Sequence, residues 1–141
     1  MRAWQALLHA HQHVVRTLDR ELREEHLLDL ASYDVLLRLA RAPGRVLRMT
    51  DLAERVMLSP SGLTRLVDRL VARGLVQRQA DPQDARAALA TLTREGRELL
   101  RRAARTHLRG IRDHFTGRLS ETQLRNVAAS LETITGPHVP H

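Results

Sequence analysis

The segment from Ser59 to Leu70 (Ser-Pro-Ser-Gly-Leu-Thr-Arg-Leu-Val-Asp-Arg-Leu) writes a helix whose start is marked twice. Ser59 is a preferred N-cap, since its hydroxyl can accept from an N–H left open in the first turn. Pro60 suits the first helical position, where no N–H is needed. Leu63, Leu66, Val67 and Leu70 recur at helical spacing and form one apolar face. Ser61, Thr64, Arg65 and Arg69 share the opposite face and supply short donors and long cations. Such a helix leans on a core and offers hydrogen-bonding groups outward, which is what the DNA major groove accepts. An ordinary solvated amphipathic helix carries the same pattern, so the flanking sequence has to separate the two.

On the C-terminal side, Arg73-Gly74 ends the helix and two strand patterns follow, Leu75 to Gln79 and Ala87 to Leu92, around the polar turn Asp81-Pro82-Gln83-Asp84. On the N-terminal side, Thr50-Asp51 opens a short helix with Leu52, Ala53 and Val56 inward, its carboxylate suiting the positive helix start. Val46 to Met49 reads as a short strand. Before it, Asp29 can cap a helix carrying Tyr33, Leu36, Leu37 and Ala40, which Pro43-Gly44 stops. The pattern is therefore a compact helix–helix–hairpin module.

Long helices flank that module. Over residues 3–25, Trp4, Leu7, Leu8, His11, Val15, Leu18 and Leu22 recur at three- and four-residue steps. Thr93 can cap a helix over 93–116 with a stripe of Leu99, Leu100, Ala103, His107, Ile111 and Phe115. Ser120 and Gln123 form a capping box for the last helix, supported by a staple of Leu119 against Leu124. The tail from Gly136 to His141 is expected to fray. Stripes this long have too little to cover within so small a module, and burying them against a second copy is the economical solution.

Composition narrows the partner. The formal charge is +7, and all 23 cationic side chains are Arg, whose forks match phosphate oxygens and guanine edges. A compositional bias toward Arg accounts for much of this, so the charge supports a nucleic-acid partner without proving one. Trp4, Tyr33 and Phe115 are the only aromatics, too few for base-stacking platforms. The absence of Cys excludes disulfides, thiolate metal sites and cysteine nucleophiles. No apolar run approaches the ~20 residues of a membrane span, and no signal-peptide core is visible, so a cytoplasmic protein without a membrane partner is expected.

With those residues laid out, the chain resembles the MarR family of winged helix-turn-helix transcriptional regulators. The stretches that carry the likeness are Ser32 to Leu37, Met49 to Glu54, Ser59 to Leu70, Arg73 to Val76, Asp81 to Arg86 and Leu92 to Gly96, in the family's order and spacing. The resemblance implies a mainly α fold with a small β-hairpin wing: a winged helix-turn-helix module over about 30–92, and interlaced dimerisation helices over about 3–25 and 93–135. The whole of 1–141 reads as one such domain. It further implies a homodimer on a palindromic double-stranded operator, acting as a repressor, with the helix at 60–73 in the major groove. Arg86 is the position that reaches the minor groove, with Asp84 as its hydrogen-bonded holder. Family wings often carry further arginines here, where this chain has Gln83 and Ala85, so weaker wing binding or a different flanking preference is expected.

The DNA-facing set expected is thus Arg48, Ser59, Ser61, Thr64, Arg65, Arg69, Arg73, Arg78, Asp84 and Arg86. Arg65 and Arg69 lead for base or adjacent phosphate contacts, while Arg48, Arg73 and Arg78 position on phosphates. The resemblance also implies a small aromatic or anionic effector between the dimer helices and the module. Trp4, His11, Tyr33, Leu37 and His107 are the candidate lining. His11 and His107 each interrupt an apolar stripe, and satisfied, partly buried histidines are the plainer account of both. His9 and His13 stand at i and i+4, a chelating spacing, yet no acidic residue joins them, so no metal ligand and no cofactor is assigned. A metal-sensing regulator of this fold, or a helical protein-interaction module without specific DNA binding, are the alternatives. No nucleophile elbow, phosphate loop or paired-carboxylate cluster points to an enzyme.

Overall fold

The computed structural model describes residues 1–137; of the tail expected to fray, 138–141 lie outside the described residues. Helix α1 (Arg2–His26) ends on Leu27 in the left-handed conformation. Helix α2 (Leu30–Arg41) starts on Asp29, whose carboxylate accepts from the Ser32 amide at 2.7 Å. Strand β1 (Val46–Arg48) runs directly into helix α3 (Met49–Val56). That helix begins at Met49, one residue before Thr50, with Arg48 at the N-cap making no side-chain cap bond, because the strand leaves no connecting loop. Helix α4 (Pro60–Ala72) follows, then strands β2 (Val76–Asp81) and β3 (Asp84–Leu92), helix α5 (Arg94–His114) and helix α6 (Glu121–Thr135).

The sheet order is β1-β3-β2, all antiparallel, with Val46 opposite Thr91 and Val76 opposite Leu92. Both hairpin strands run further toward the tip than the apolar pattern marks. From Gln77 to Ala80 and from Asp84 to Arg86 the side chains are exposed, and backbone pairing alone carries the ladder outward.

One buried cluster unites the module. Val35, Leu36 and Leu39 of α2 meet Leu52 of α3, Leu63, Val67 and Leu70 of α4, Val76 and Ala90 of the sheet, and Leu99 and Ala103 of α5. Two glycines set how closely α5 approaches its neighbours. At Gly96 a Cβ would run into the Leu75 carbonyl oxygen, so the first turn of α5 lies flush on the base of the hairpin. At Gly110 a Cβ would fall 2.6 Å from Leu18 Cδ2 and 2.5 Å from Glu21 Oε2, which fixes the α1–α5 crossing. Polar pairs line that crossing: His114 Nε2 and Glu21 Oε1 lie 2.6 Å apart, Thr106 Oγ1 donates to Glu25 Oε2 at 2.9 Å, and Arg109 pairs with Glu25.

The ends of the chain are packed differently. Residues 1–13 are exposed throughout, and of the α1 stripe only Leu18 and Leu22 are buried. Helix α6 has the expected capping box but buries no residue, although Leu119 and Leu124 are half-buried. Trp4 is 55% exposed and Ile134 77%. Among the described residues no helix is long and apolar enough to cross a membrane.

Candidate nucleic-acid interface

The outward face of α4 is held in place by its own start. Ser59 Oγ accepts from the Gly62 amide at 3.1 Å and lies 3.4 Å from Ser61 Oγ. Thr64 Oγ1 donates to the Pro60 carbonyl at 2.9 Å, leaving its lone pairs outward. Arg65 is exposed and, among the described residues, meets no carboxylate within salt-bridge distance. Behind this face Leu63, Leu66, Val67 and Leu70 are buried, as the spacing requires.

The sheet adds three more arginines. Arg78 Nη2 lies 2.9 Å from Asp68 Oδ1 and 3.4 Å from the Thr64 carbonyl, so it laces β2 to α4. Arg48 Nη2 lies 2.7 Å from Asp81 Oδ2, tying the end of β1 to the outer end of β2. Asp81 is nearly buried; the Gln83 amide donates to it at 2.9 Å, and that bond, with the Arg48 guanidinium, holds its carboxyl below the usual carboxylate range against the opposing effect of burial. Arg86 is exposed at the wing. Asp84 Oδ1 accepts from the Arg86 backbone amide at 3.0 Å, so Asp84 shapes the turn that presents Arg86 and does not grip its guanidinium.

Two serine hydroxyls, a threonine and an exposed arginine on one helix, beside a hairpin that carries a second exposed arginine, form a surface that can hydrogen-bond into a groove and pair with phosphates. The fold that carries this surface is shared with solved structures. A MarR family transcriptional regulator from Streptomyces coelicolor, Sco3205, crystallised in complex with DNA, is 33% identical and superposes with a TM-score of 0.87 over 94% of this chain and 83% of its own. The chain belongs to the MarR family. A second Streptomyces coelicolor member, AbsC, is 30% identical, with a TM-score of 0.86 over 94% of this chain and 89% of its own. The MarR family profile matches residues 28–87. The HTH-type transcriptional regulator YxaD of Bacillus subtilis is 36% identical over 85 residues; the chain spans 57% of its length, and 36% of a second such regulator, YhbI. The MarR family is one of regulators, and no catalytic role is assigned to any residue.

Within this MarR scaffold the expected DNA-facing residues divide. Ser59, Ser61, Thr64, Arg65 and Arg86 stand on the exposed face. Arg73 turns the other way: its guanidinium donates to the Leu27 carbonyl at 2.6 Å and to the His26 carbonyl at 3.3 Å, closing the C-terminus of α1. Arg69 lies 3.7 Å from Asp29 Oδ2, and Arg23 approaches the same oxygen at 3.8 Å. Asp19 completes this set by accepting from the Leu30 amide at 2.9 Å and from Arg23 at 2.7 Å. The sequence offers Asp29 only as a cap; its approach to Arg69 of α4 depends on a chain reversal that no local spacing encodes.

The five candidate effector residues fall in two places. The Tyr33 and His107 rings face one another at 4.6 Å between α2 and α5, and Leu37 packs against the adjoining core. Burial raises the Tyr33 phenol above its ordinary value and lowers the His107 imidazole below its own, the latter partly offset by Asp34. His107 Nδ1 is buried with no hydrogen-bond partner among the described residues, in contrast to the satisfied histidine that an apolar stripe suggests. His11 instead lines an apolar cleft of about 710 Å³ between α1 and α6, with Val15, Phe115, Val127 and Leu131. Trp4 is exposed nearby in sequence on the same helix. His9 and His13 are exposed, and no group of three or more metal-ligating side chains occurs among the described residues.

Proposed function

We propose that this chain is a sequence-specific, double-stranded-DNA-binding transcriptional repressor that works as a homodimer on a palindromic operator. The observation that carries this reading is the outward face of α4, where Arg65, next to Ser61 and Thr64, meets no carboxylate within salt-bridge distance among the described residues. Arg65 takes base edges, Arg86 takes the minor groove beside the wing, and Ser59, Ser61 and Thr64 hold adjacent phosphates or bases. Two such helices sit about one helical turn, ~34 Å, apart in the dimer. The bare apolar cleft between α1 and α6, lined by Val15, Val127 and Leu131, supports a second copy as the missing cover.

A gel-shift series with Arg65→Ala tests the assignment. Specific duplex binding falls by ~1–3 kcal/mol while binding to scrambled duplex changes little. Equal binding of both duplexes by variant and parent removes Arg65 from the interface. Raising the salt separates an operator binder, which keeps its preference for the specific site, from a merely cationic protein, which loses all binding together.

Effector control rests on a separate observation, the unpartnered His107 Nδ1 beside Tyr33. A small aromatic acid that opens the contact between α2 and α5 and reaches Nδ1 supplies it with a hydrogen-bond partner. It shifts DNA affinity by preferring one spacing of the two recognition helices.

A further inference from the structure

Away from α4 and the wing tip, four arginines converge on one cleft. Arg94, Arg97 and Arg101 stand at i, i+3 and i+7 on one face of α5, and Arg45 reaches the same cleft from the turn before β1. The cleft encloses about 500 Å³, within the range of small-molecule sites, and Thr93 is part of its lining. Glu98 is the one carboxylate lining it and is engaged by Arg94 at 3.2 Å. Arg45, Arg97 and Arg101 meet no carboxylate within salt-bridge distance among the described residues. Arg97 and Arg101 on α5 and Arg45 beside them place three like charges around one cleft, and an anion between them relieves their repulsion. The backbone at Arg45 adds to this. It holds φ at 57°, directly after Gly44 at 66°, a conformation in which glycine or asparagine is the easier residue.

The cleft is remote from the reading end of the hairpin. It adjoins Leu92, at the base of β3, eight residues from the tip at Asp84, or about 27 Å at ~3.4 Å per residue. Arg94 and Arg101 leave the helix about 10 Å apart along its axis at ~1.5 Å per residue, so the row of arginines matches a chain of phosphates better than a single oxyanion. Arg forks pair with phosphate in a bidentate manner.

We propose that this cleft is a second anion site, distinct from the DNA-reading face, that binds a run of two or more phosphates. A nucleotide polyphosphate and a stretch of DNA backbone share that chemistry. Calorimetric titration of the full chain with inorganic tripolyphosphate and with orthophosphate tests the site directly, with no operator needed. Tripolyphosphate is expected to bind saturably and at least tenfold more tightly than orthophosphate. The double variant Arg97→Gln/Arg101→Gln loses at least tenfold, whereas Arg102→Gln/Arg105→Gln, which removes the same charge from exposed positions outside the cleft, stays within about twofold of the parent. Absence of saturable tripolyphosphate binding, or equal losses in the two double variants, overturns the proposal. If the parent passes, duplexes of increasing length identify the occupant. A loss by Arg97→Gln/Arg101→Gln confined to long duplexes assigns the site to DNA backbone, and equal binding at every length assigns it to a free polyphosphate.

Discussion

The middle of this chain and its two ends carry equally regular apolar stripes, yet only the middle closes its own core. Leu36, Leu52, Leu63 and Val67 are fully buried by elements between residues 22 and 103. Leu7, Leu8, Leu131 and Ile134 remain exposed in a single chain. Periodicity states which face wants burial; it does not state whether the cover comes from the same chain. The difference lies in what can fold back: α3, α4, α5 and the sheet enclose α2, whereas α1 up to Val15 and the middle of α6 face each other across an open apolar cleft.

The sharpest way to break this contrast is from the middle. Leu36→Ala removes a fully buried side chain and is expected to cost about 2–5 kcal/mol, read as a lower denaturation midpoint with an unchanged m-value. Leu131→Glu is the matching change at the end. It leaves the fold of a single chain within about 0.5 kcal/mol but should convert a sedimenting dimer to single chains at micromolar concentration. A Leu131→Glu protein that remains dimeric removes the cleft from the interface.

The junction between the two regions gives a subtler effect. Arg73→Ala strips two hydrogen bonds from the C-terminus of α1 and should lower stability by roughly 1 kcal/mol. Because that guanidinium is engaged inside the molecule, the slope of DNA affinity against salt should be unchanged; a fall of ~1 in that slope marks Arg73 as a phosphate contact instead. The smallest effect is a pH dependence. Burial lowers the His107 imidazole below its ordinary value, so the folded protein resists a proton that the unfolded chain accepts. Stability therefore drops as pH falls through about 6.5, the ordinary imidazole value. Thermal melts of His107→Leu should show a shallower acid loss than the parent.

Much of the fold was legible because the signals were local. Asp29, Ser59, Thr93 and Ser120 each cap the helix that follows them, and each is a short polar side chain placed just before an apolar stripe. The outer face of α4 was equally plain. What spacing could not reveal were links between distant segments. The Arg48–Asp81 pair looked like a loose cation and a turn residue; Arg73 looked like an outward cation until the reversal at Leu27 and Leu28 brought the α1 carbonyls beneath it. The four-arginine cleft was hidden for the same reason, since Arg45 joins the α5 arginines only through the pairing of β1 with β3.

The seat of α5 on the hairpin has a mechanical consequence. Thr93 Oγ1 donates to the Gly74 carbonyl at 2.7 Å, the Thr93 amide donates to the Leu75 carbonyl at 3.1 Å, and Gly96 leaves no gap beneath. With that joint welded, the 21-residue helix is a lever about 31 Å long whose far end lies among the helices that a second copy would grip. A tilt of about 5° at that end carries the hairpin base by about 3 Å over this length. Repacking at the dimer seam would thus swing wing and recognition helix together as one blade.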